Sequence, residues 1–510
     1  MEVLRKHQYG FMTESFINKT NVKIALDHIT KHGDTDLFPP AVEIDFYKKN
    51  IKLCVEALNK IDDLIINNSS NFCLPASREI FFTIDLKPRV ASQLPLLLTL
   101  YSTIHAFYIK NKIELIRFRN FNHNIFSYRT QLEQKRQLFS KNYGWNGFLN
   151  CQKKLSKNYQ WVLKLDIAQF YSSIKKKHLQ KIKKNFYLDE IDQKRIDYFY
   201  ESTNGKNYGL PIGGDYSRLL AETTLYATDN FIKNNKWKFC RFVDDYRIFL
   251  SSEQKALNAS YEIIEILSRD GFQVNGTKLY IERSSNSHTS HSITNKIDFK
   301  IKNQKNNKFY FDPYSELVVT KVNELKSFSK KSNLLALINL ELEKIVPHIM
   351  SLKVYIASLS IDHNENLQEC FSQLLSTIFD KRYFSLLPNI LRLTMLVKQK
   401  LKDKFLNAQY NSITKNLMIF YKNLPRSVIG QILRIISVLS TKLNTKFIDF
   451  LYKLLLLHED SLFLKREVTN LLSKEKKKIK NLIETKILEN PSLESIWIPD
   501  SSLRTYKFDA

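Results

Sequence analysis

Two adjacent aspartates between two apolar strands constrain this chain more than any other feature. In RFVDDYRIFL (241–250), the runs FCRFVDD (239–245) and YRIFL (246–250) read as strands, which places Asp244-Asp245 at the tip of a β-hairpin. Asp is a normal turn residue. This turn, however, lacks the Gly of a tight Asp-Gly hairpin, and two adjacent negative charges repel unless a cation holds them. A further carboxylate closes WVLKLD (161–166), a strand ending in Asp166 just before a helix-like segment, within LKLDIAQFYSSI (163–174). An Asp after a strand most often caps a turn or helix, but at a cleft mouth it can also hold a hard cation. Between the two lies YGLPIGGDYSRLLAE (208–222). The chain has only 11 Gly, and four of them fall between Gly205 and Gly214. Gly209, Pro211, Gly213 and Gly214 therefore mark a special-φ loop running into a helix, where backbone can approach a base or sugar closely. LYIE (279–282) reads as one more strand.

Charge and length bound the rest. The chain has 510 residues, 43% of them hydrophobic, enough for real cores and two to four domains. Its 78 Lys+Arg against 51 Asp+Glu leave +27, which attracts polyanions and fits a nucleic-acid binder as well as it fits a merely Lys-rich composition. Five cysteines, Cys54, Cys73, Cys151, Cys240 and Cys370, stand far apart with no CxxC pair, which argues against a disulfide framework or a zinc site. The first residues show no signal-peptide pattern. The most apolar stretch, Leu94 to Ile109, contains His105, is short for a bilayer span and is expected to be a buried helix. The expectation is a soluble protein of a reducing compartment. Beyond about residue 320 apolar residues recur at steps of three and four, from Leu334 through Ile338, Leu342, Ile345, Ile349 and Leu352 to Ile356, with Pro347 as a kink or break. Ile432, Ile435, Ile436 and Leu439 repeat the pattern. Consecutive helices without strands follow, either stacked pairs of the HEAT type or an irregular bundle.

Asp166, then the Gly loop, then Asp244-Asp245 reproduces motifs A, B and C of the reverse transcriptase palm, and the sequence resembles that superfamily over about residues 115–285. The resemblance implies an α+β fold: reverse-transcriptase fingers and an RRM-like palm, an antiparallel sheet with helices, followed by an all-α HEAT-like C-terminal domain. The expected divisions are a mostly helical N-terminal extension (1–80), fingers and palm (81–318), and a helical domain in place of the thumb (319–510). The chemistry it implies is two-metal nucleotidyl transfer, with two Mg²⁺ (Mn²⁺ as the alternative) about 3.5–4 Å apart on hard oxygen ligands. Asp166 and Asp244 would bridge the metals, Asp245 would complete the acidic cluster, and the Ile167 carbonyl is a further candidate ligand. Tyr171, with Phe170 as the adjacent alternative, stands where reverse transcriptases place an aromatic gate against the ribose 2′-hydroxyl; either could also be core. GFQVNGTKLYIE (271–282) resembles motif D, with Lys278 near the triphosphate or simply on the surface. NHNIFSYR (122–129) resembles the finger strand that offers a basic residue to the triphosphate. Arg129 is the candidate there, with Arg117 and Arg119 as rivals. Gly213 and Gly214 complete the nucleotide-binding set.

Retroviral and group II intron enzymes carry a Gln after the motif B Pro; here the position is Ile212. LPIG with the following S..LAE, FVDDYRIF, W..F before motif A and the long helical C-terminal region resemble the abortive-infection (Abi) polymerases among bacterial defence reverse transcriptases. That resemblance implies untemplated synthesis of single-stranded DNA from dNTPs, primed by a tyrosine of the protein and covalently attached to it. It also implies a homo-oligomer acting in the bacterial cytoplasm against phage, with no membrane role. Among 25 Tyr, Tyr9 is the priming candidate, against an ordinary packed or surface tyrosine. Lys381-Arg382-Tyr383-Phe384 is a candidate guide for the emerging strand, or a solvated helix face plus core. A templated RNA-directed DNA polymerase of retron type shares every catalytic residue, and a non-catalytic scaffold with a degenerate palm is the reading from another class.

Overall fold

A computed structural model describes residues 16–32, 43–67, 76–82, 88–130, 138–140, 143–284, 297–299, 307–309, 322–361, 366–439, 442–458 and 461–475. Tyr9 lies outside them. The elements run α1 (Lys19–His32), α2 (Glu43–Lys49), α3 (Ile51–Ile66), β1 (Ser77–Phe82), β2 (Pro88–Gln93), α4 (Leu96–Phe121), α5 (Trp145–Ser156), β3 (Trp161–Asp166), α6 (Phe170–Ser173), α7 (Lys176–Phe186), α8 (Glu190–Ser202), α9 (Gly205–Tyr208), α10 (Asp215–Thr224), α11 (Tyr226–Asn234), β4 (Lys238–Phe242), β5 (Asp245–Leu250), α12 (Glu253–Asp270) and β6 (Tyr280–Arg283). They continue with β7 (Ile297–Phe299), β8 (Asn307–Phe309), α13 (Val322–Lys331), α14 (Leu334–Leu342), α15 (Ile349–Ile361), α16 (Leu367–Ser376), α17 (Leu387–Val397), α18 (Asp403–Phe420), α19 (Arg426–Leu439), α20 (Thr445–Leu457) and α21 (Leu462–Glu475). Two compact units emerge. One holds the described residues of 16–76 and 92–284, the other those of 77–91 and 297–475.

The first unit is built on a four-stranded antiparallel sheet in the order β4-β5-β3-β6. Its register puts Asp166 opposite Asp245 and Trp161 opposite Leu250. Period-2 alternation decides the two faces. Val162 and Phe249 turn with Cys240 toward α5, where Phe148 closes a small core. Leu163 and Ile248 share the opposite face and are fully buried, and α12 packs against β3 and β5. The apolar stretch forms the start of α4, buried on almost every side from Leu96 to Ala106. Among the described residues no helix is long and apolar enough to cross a membrane.

In the second unit the described helices α13 to α21 pack in two layers. α13, α15, α17, α19 and α21 each contact the next in that series, while α14 meets α16 and α18 meets α20. Burial follows: α15 and α19, inside the first layer, are buried around most of their circumference. Gly430 permits the approach of α19 to α21, since a Cβ there would lie 2.2 Å from Phe463 Cε1. Pro347 falls between α14 and α15, so the periodic run from Leu334 is two helices rather than one. β1 belongs with these helices. Ser427 Oγ donates to the Ile80 carbonyl, and Phe81 meets Phe463 edge to face at 5.7 Å. Tyr383 and Phe384 are buried and Arg382 is paired with Asp380, so the aromatics of that stretch are core and not a stacking platform.

Candidate active site

The carboxylates occupy a strand end and a hairpin turn that the sheet register brings together. Asp166 closes β3, Asp245 opens β5 directly opposite, and Val243-Asp244 form the turn between β4 and β5. Burial first, then the negative charge of Asp166, pushes the Asp244 carboxyl up to about 8; Asp245 adds to the rise, while a backbone hydrogen bond and Lys278 oppose it. Asp245 is raised as well, by burial, with Arg247 opposing. Both oxygens of Asp245 are held by the Arg247 guanidinium, with Nη2 to Oδ2 at 2.9 Å. Lys278 Nζ donates to Asp166 Oδ1 at 3.1 Å and Asn275 Nδ2 to Asp166 Oδ2 at 3.3 Å. The structure thus brings Lys278 to the acidic cluster through the bend that follows α12. That bend is fixed by the Asn275 N–H on the Asp166 carbonyl at 2.8 Å and by the Ile167–Val274 bridge. Ile167 is buried beside Asp166.

No three His, Cys, Asp or Glu side chains among the described residues gather tightly enough to cage an ion as they stand; Asp166 pairs with Lys278 and Asp245 with Arg247. The donor set nevertheless fits a hard divalent cation. Asp244 and Asp245, both raised and both beside the charge of Asp166, form a low-energy arrangement only when a proton or a cation neutralises them.

The turn is held from behind. Val243 has φ 55°, a left-handed conformation that a β-branched residue rarely adopts. Its N–H donates to Ser127 Oγ at 2.8 Å and its carbonyl accepts from Arg241 Nη1 at 2.6 Å. Ser127 donates in turn to Glu222, which also takes Arg117 Nη2 and Arg241 Nη1 at 3.0 Å each. Asp229 receives Arg241 through two bonds of 3.0 and 2.8 Å and the Tyr246 hydroxyl at 2.9 Å. No motif singles out Glu222, Ser127, Arg241 or Asp229, although the first three lie within the Gly-loop, finger and hairpin segments.

Arg129 belongs to this buried layer. It is 0% exposed, and its guanidinium serves Glu114 at 2.7 Å and the carbonyls of Phe121 and Ile125 at 3.2 Å each. The expectation that it meets a triphosphate does not fit this placement, because reaching solvent would break its bonds to Glu114 and to two backbone carbonyls inside the buried layer. Arg117 is likewise buried; Arg119 is exposed in the last turn of α4. Segment 122–130 is an irregular edge to β4 rather than a full strand, bridging it at Ile125–Arg241.

Phe170 and Tyr171 separate cleanly. Phe170 is buried against Phe272 at 5.7 Å. Tyr171 is half-buried; burial raises its hydroxyl, Tyr128, Glu222 and Asp244 add to the rise, and Arg218 opposes it. Tyr171 is therefore the aromatic that shares an electrostatic environment with Asp244. The glycine loop leans on its backbone. Gly209 has φ 70°, a Cβ there would sit 2.2 Å from the Tyr171 carbonyl, and the Leu210 N–H donates to that carbonyl at 2.9 Å. Gly213, at φ 109°, and Gly214 lead into α10, where Asp215 pairs with His28 at 2.8 Å and with Arg218 at 3.1 Å.

No curated protein matches the chain. Residues 86–309 match the family model described as reverse transcriptase (RNA-dependent DNA polymerase), spanning the sheet, the glycine loop and all three aspartates, so the chain carries a polymerase domain of the reverse transcriptase type.

Proposed function

We propose that this polymerase domain synthesises single-stranded DNA from dNTPs without a template, primed by a tyrosine of the protein, in abortive-infection defence against phage. The observation that carries the nucleotidyl-transfer part is the meeting of Asp166, at the end of β3, with the Val243-Asp244 turn under a raised Asp244 proton affinity. Asp166 and Asp244 would hold two Mg²⁺, which supply charge neutralisation and an activated 3′-oxygen or tyrosine hydroxyl. Asp245, tied to Arg247, keeps the cluster acidic and fixed. Lys278, in reach of Asp166, is placed to give a proton to departing pyrophosphate. Tyr171 narrows the sugar site against a 2′-hydroxyl.

Two features support the Abi reading over a templated one. Ile212 stands where templated enzymes carry Gln, and the helices α13 to α21 stack in two layers as HEAT-type pairs do. The homo-oligomer, the bacterial cytoplasm and the priming role of Tyr9 belong to the same proposal.

The test is incubation of purified protein with Mg²⁺ and labelled dNTPs, lacking template and primer, followed by denaturing electrophoresis with and without protease and DNase. Label that travels with the protein, is shortened by DNase and vanishes in Asp244→Ala supports the reading. Labelling that requires added RNA and a primer assigns the chain to templated reverse transcription instead.

A further inference from the structure

Cys151 and Cys240 are 89 residues apart in sequence, yet the fold places them together. Residues 148, 151 and 155 of α5 follow helical spacing toward the sheet, and Cys151 packs against the core cluster that contains Cys240 of β4. The Cys151 thiol donates to the His123 carbonyl at 3.5 Å, and α5 packs directly on β4, which carries Cys240. Among the described residues Cys151 is the one cysteine that is not buried. Its thiol is shifted down, first by neighbouring Cys240 and then by Lys154, against the effect of burial. Cys54 and Cys370 differ: burial pushes them up to about 12 and about 11. A partly exposed thiol packed beside a buried one is the arrangement of an attacking and a resolving cysteine.

We propose that Cys151 and Cys240 are an oxidisable dithiol, a modification site at which hydrogen peroxide or an organic peroxide closes a reversible disulfide between α5 and β4. The Cys151 thiolate attacks the peroxide O–O bond. An S–O bond forms, the O–O bond breaks, and the departing oxygen leaves as water or alcohol after taking a proton. Cys240 then gives up its proton and attacks the Cys151 sulfur, so that the S–S bond forms and the S–O oxygen leaves as water. Two electrons pass from the dithiol to the peroxide, and an external dithiol returns them by exchange.

The site bears on the polymerase hairpin. Cys240 faces Arg247 in the β4–β5 register, and Arg247 holds Asp245. The next residue, Arg241, holds the Val243 carbonyl. A covalent tie from α5 to β4 therefore acts on the strand that presents Asp244. This consequence, unlike the disulfide itself, rests on the polymerase reading.

The test is treatment of the full chain with hydrogen peroxide, alkylation, and mass spectrometry of non-reduced peptides. The expected result is a Cys151–Cys240 linked peptide that dithiothreitol abolishes and that is missing from Cys151→Ser. Cys240→Ser should instead leave a Cys151 sulfenic acid that dimedone captures. Capture of that sulfenic acid in the unaltered chain, with no linked peptide, overturns the proposal, as does absence of any oxidation at Cys151. In the same samples dNTP incorporation should fall roughly tenfold or more on oxidation and return with dithiothreitol, while Cys151→Ser keeps its rate. A linked peptide with unchanged incorporation overturns the effect on the hairpin. A chain that incorporates nothing before oxidation fails the polymerase reading and leaves the disulfide result standing.

Discussion

Ser127 Oγ accepts the N–H of Val243 at 2.8 Å, a bond across 116 residues that fixes the turn presenting Asp244. The same hydroxyl donates to buried Glu222, so one side chain satisfies the strained turn and the anion behind it. Ser127→Ala leaves the buried Val243 N–H without its partner, a cost of about 1–3 kcal/mol. Part of that cost is relieved by letting Val243 leave its left-handed conformation, which displaces Asp244. The expected outcome is a fall in kcat of roughly ten- to a hundredfold with KM for dNTP nearly unchanged, because the ground-state pocket is intact. Steady-state incorporation kinetics beside a urea melt measure both sides. A variant that loses stability alone, with kcat preserved, removes Ser127 from the positioning role.

In the proposed two-metal site Asp244 would link metal binding to stability, and the sign of its own contribution is fixed. Its folded-state value of about 8 lies above the ordinary carboxylate value of 3.8. Between these limits the folded chain keeps a proton that the unfolded chain has lost. Stability from this group is therefore full below about pH 4, falls as pH rises through the window, and levels off above about 8. Asp244→Asn removes the penalty. In EDTA near pH 8.5 its Tm should exceed that of the unaltered chain, and the gap should close toward pH 4. Mg²⁺ should raise the Tm of the unaltered chain and not of the variant, since a ligand that binds only the folded state stabilises it. Thermal melts with and without Mg²⁺ check this, and equal Mg²⁺ shifts in both proteins would exclude Asp244 as a ligand.

Sequence and structure agree where chemistry is written in local pattern. Asp166 and Asp244-Asp245 stand at strand ends because apolar alternation on either side defines those ends; three of the four expected strands start and stop within a residue of the observed ones, while the run expected to reach Asp245 stops at Phe242, where the turn begins. Pro347 likewise marked a break that the helices respect. The misplaced residue, Arg129, failed for a non-local reason. A guanidinium near a finger segment suits a phosphate equally well in sequence, and its actual partner, Glu114, sits on the buried face of α4. Glu222, Arg241 and Asp229 were illegible because a buried ion network has no sequence period; it is the fold that sets three arginines against three carboxylates. Cys151 and Cys240, far apart in the chain, became neighbours only once α5 lay across β4.

Gly209 tests the contact between the glycine loop and the turn after Asp166. At φ 70° any side chain is strained, and a Cβ would also meet the Ser172 Cα at 2.6 Å. Gly209→Ala should cost about 1–3 kcal/mol from the backbone conformation alone. The clash should also push Tyr171 out of place, which raises KM for dNTP as well as lowering kcat. This separates it from Ser127→Ala, where kcat alone moves. Paired kinetics of the two variants make the comparison, and an unchanged KM in Gly209→Ala would detach the loop from the sugar site.

Tyr171, rather than Phe170, is expected to set sugar choice, because the two rings have different surroundings. Phe170 is 4% exposed and locked against Phe272, so Phe170→Ala opens a cavity and should cost about 3–5 kcal/mol of stability. Tyr171 is half-buried near Asp244 and Arg218, and Tyr171→Val should leave stability within about 2 kcal/mol while widening the site. Its ribonucleotide-to-deoxynucleotide ratio in kcat/KM should rise by roughly tenfold to a hundredfold, the discrimination that steric exclusion of one hydroxyl can supply. Competition between labelled rATP and dATP measures the ratio directly. A ratio that moves in Phe170→Ala and not in Tyr171→Val would transfer the gate to the neighbouring ring. A ratio that moves in neither would place sugar selection outside the turn after Asp166.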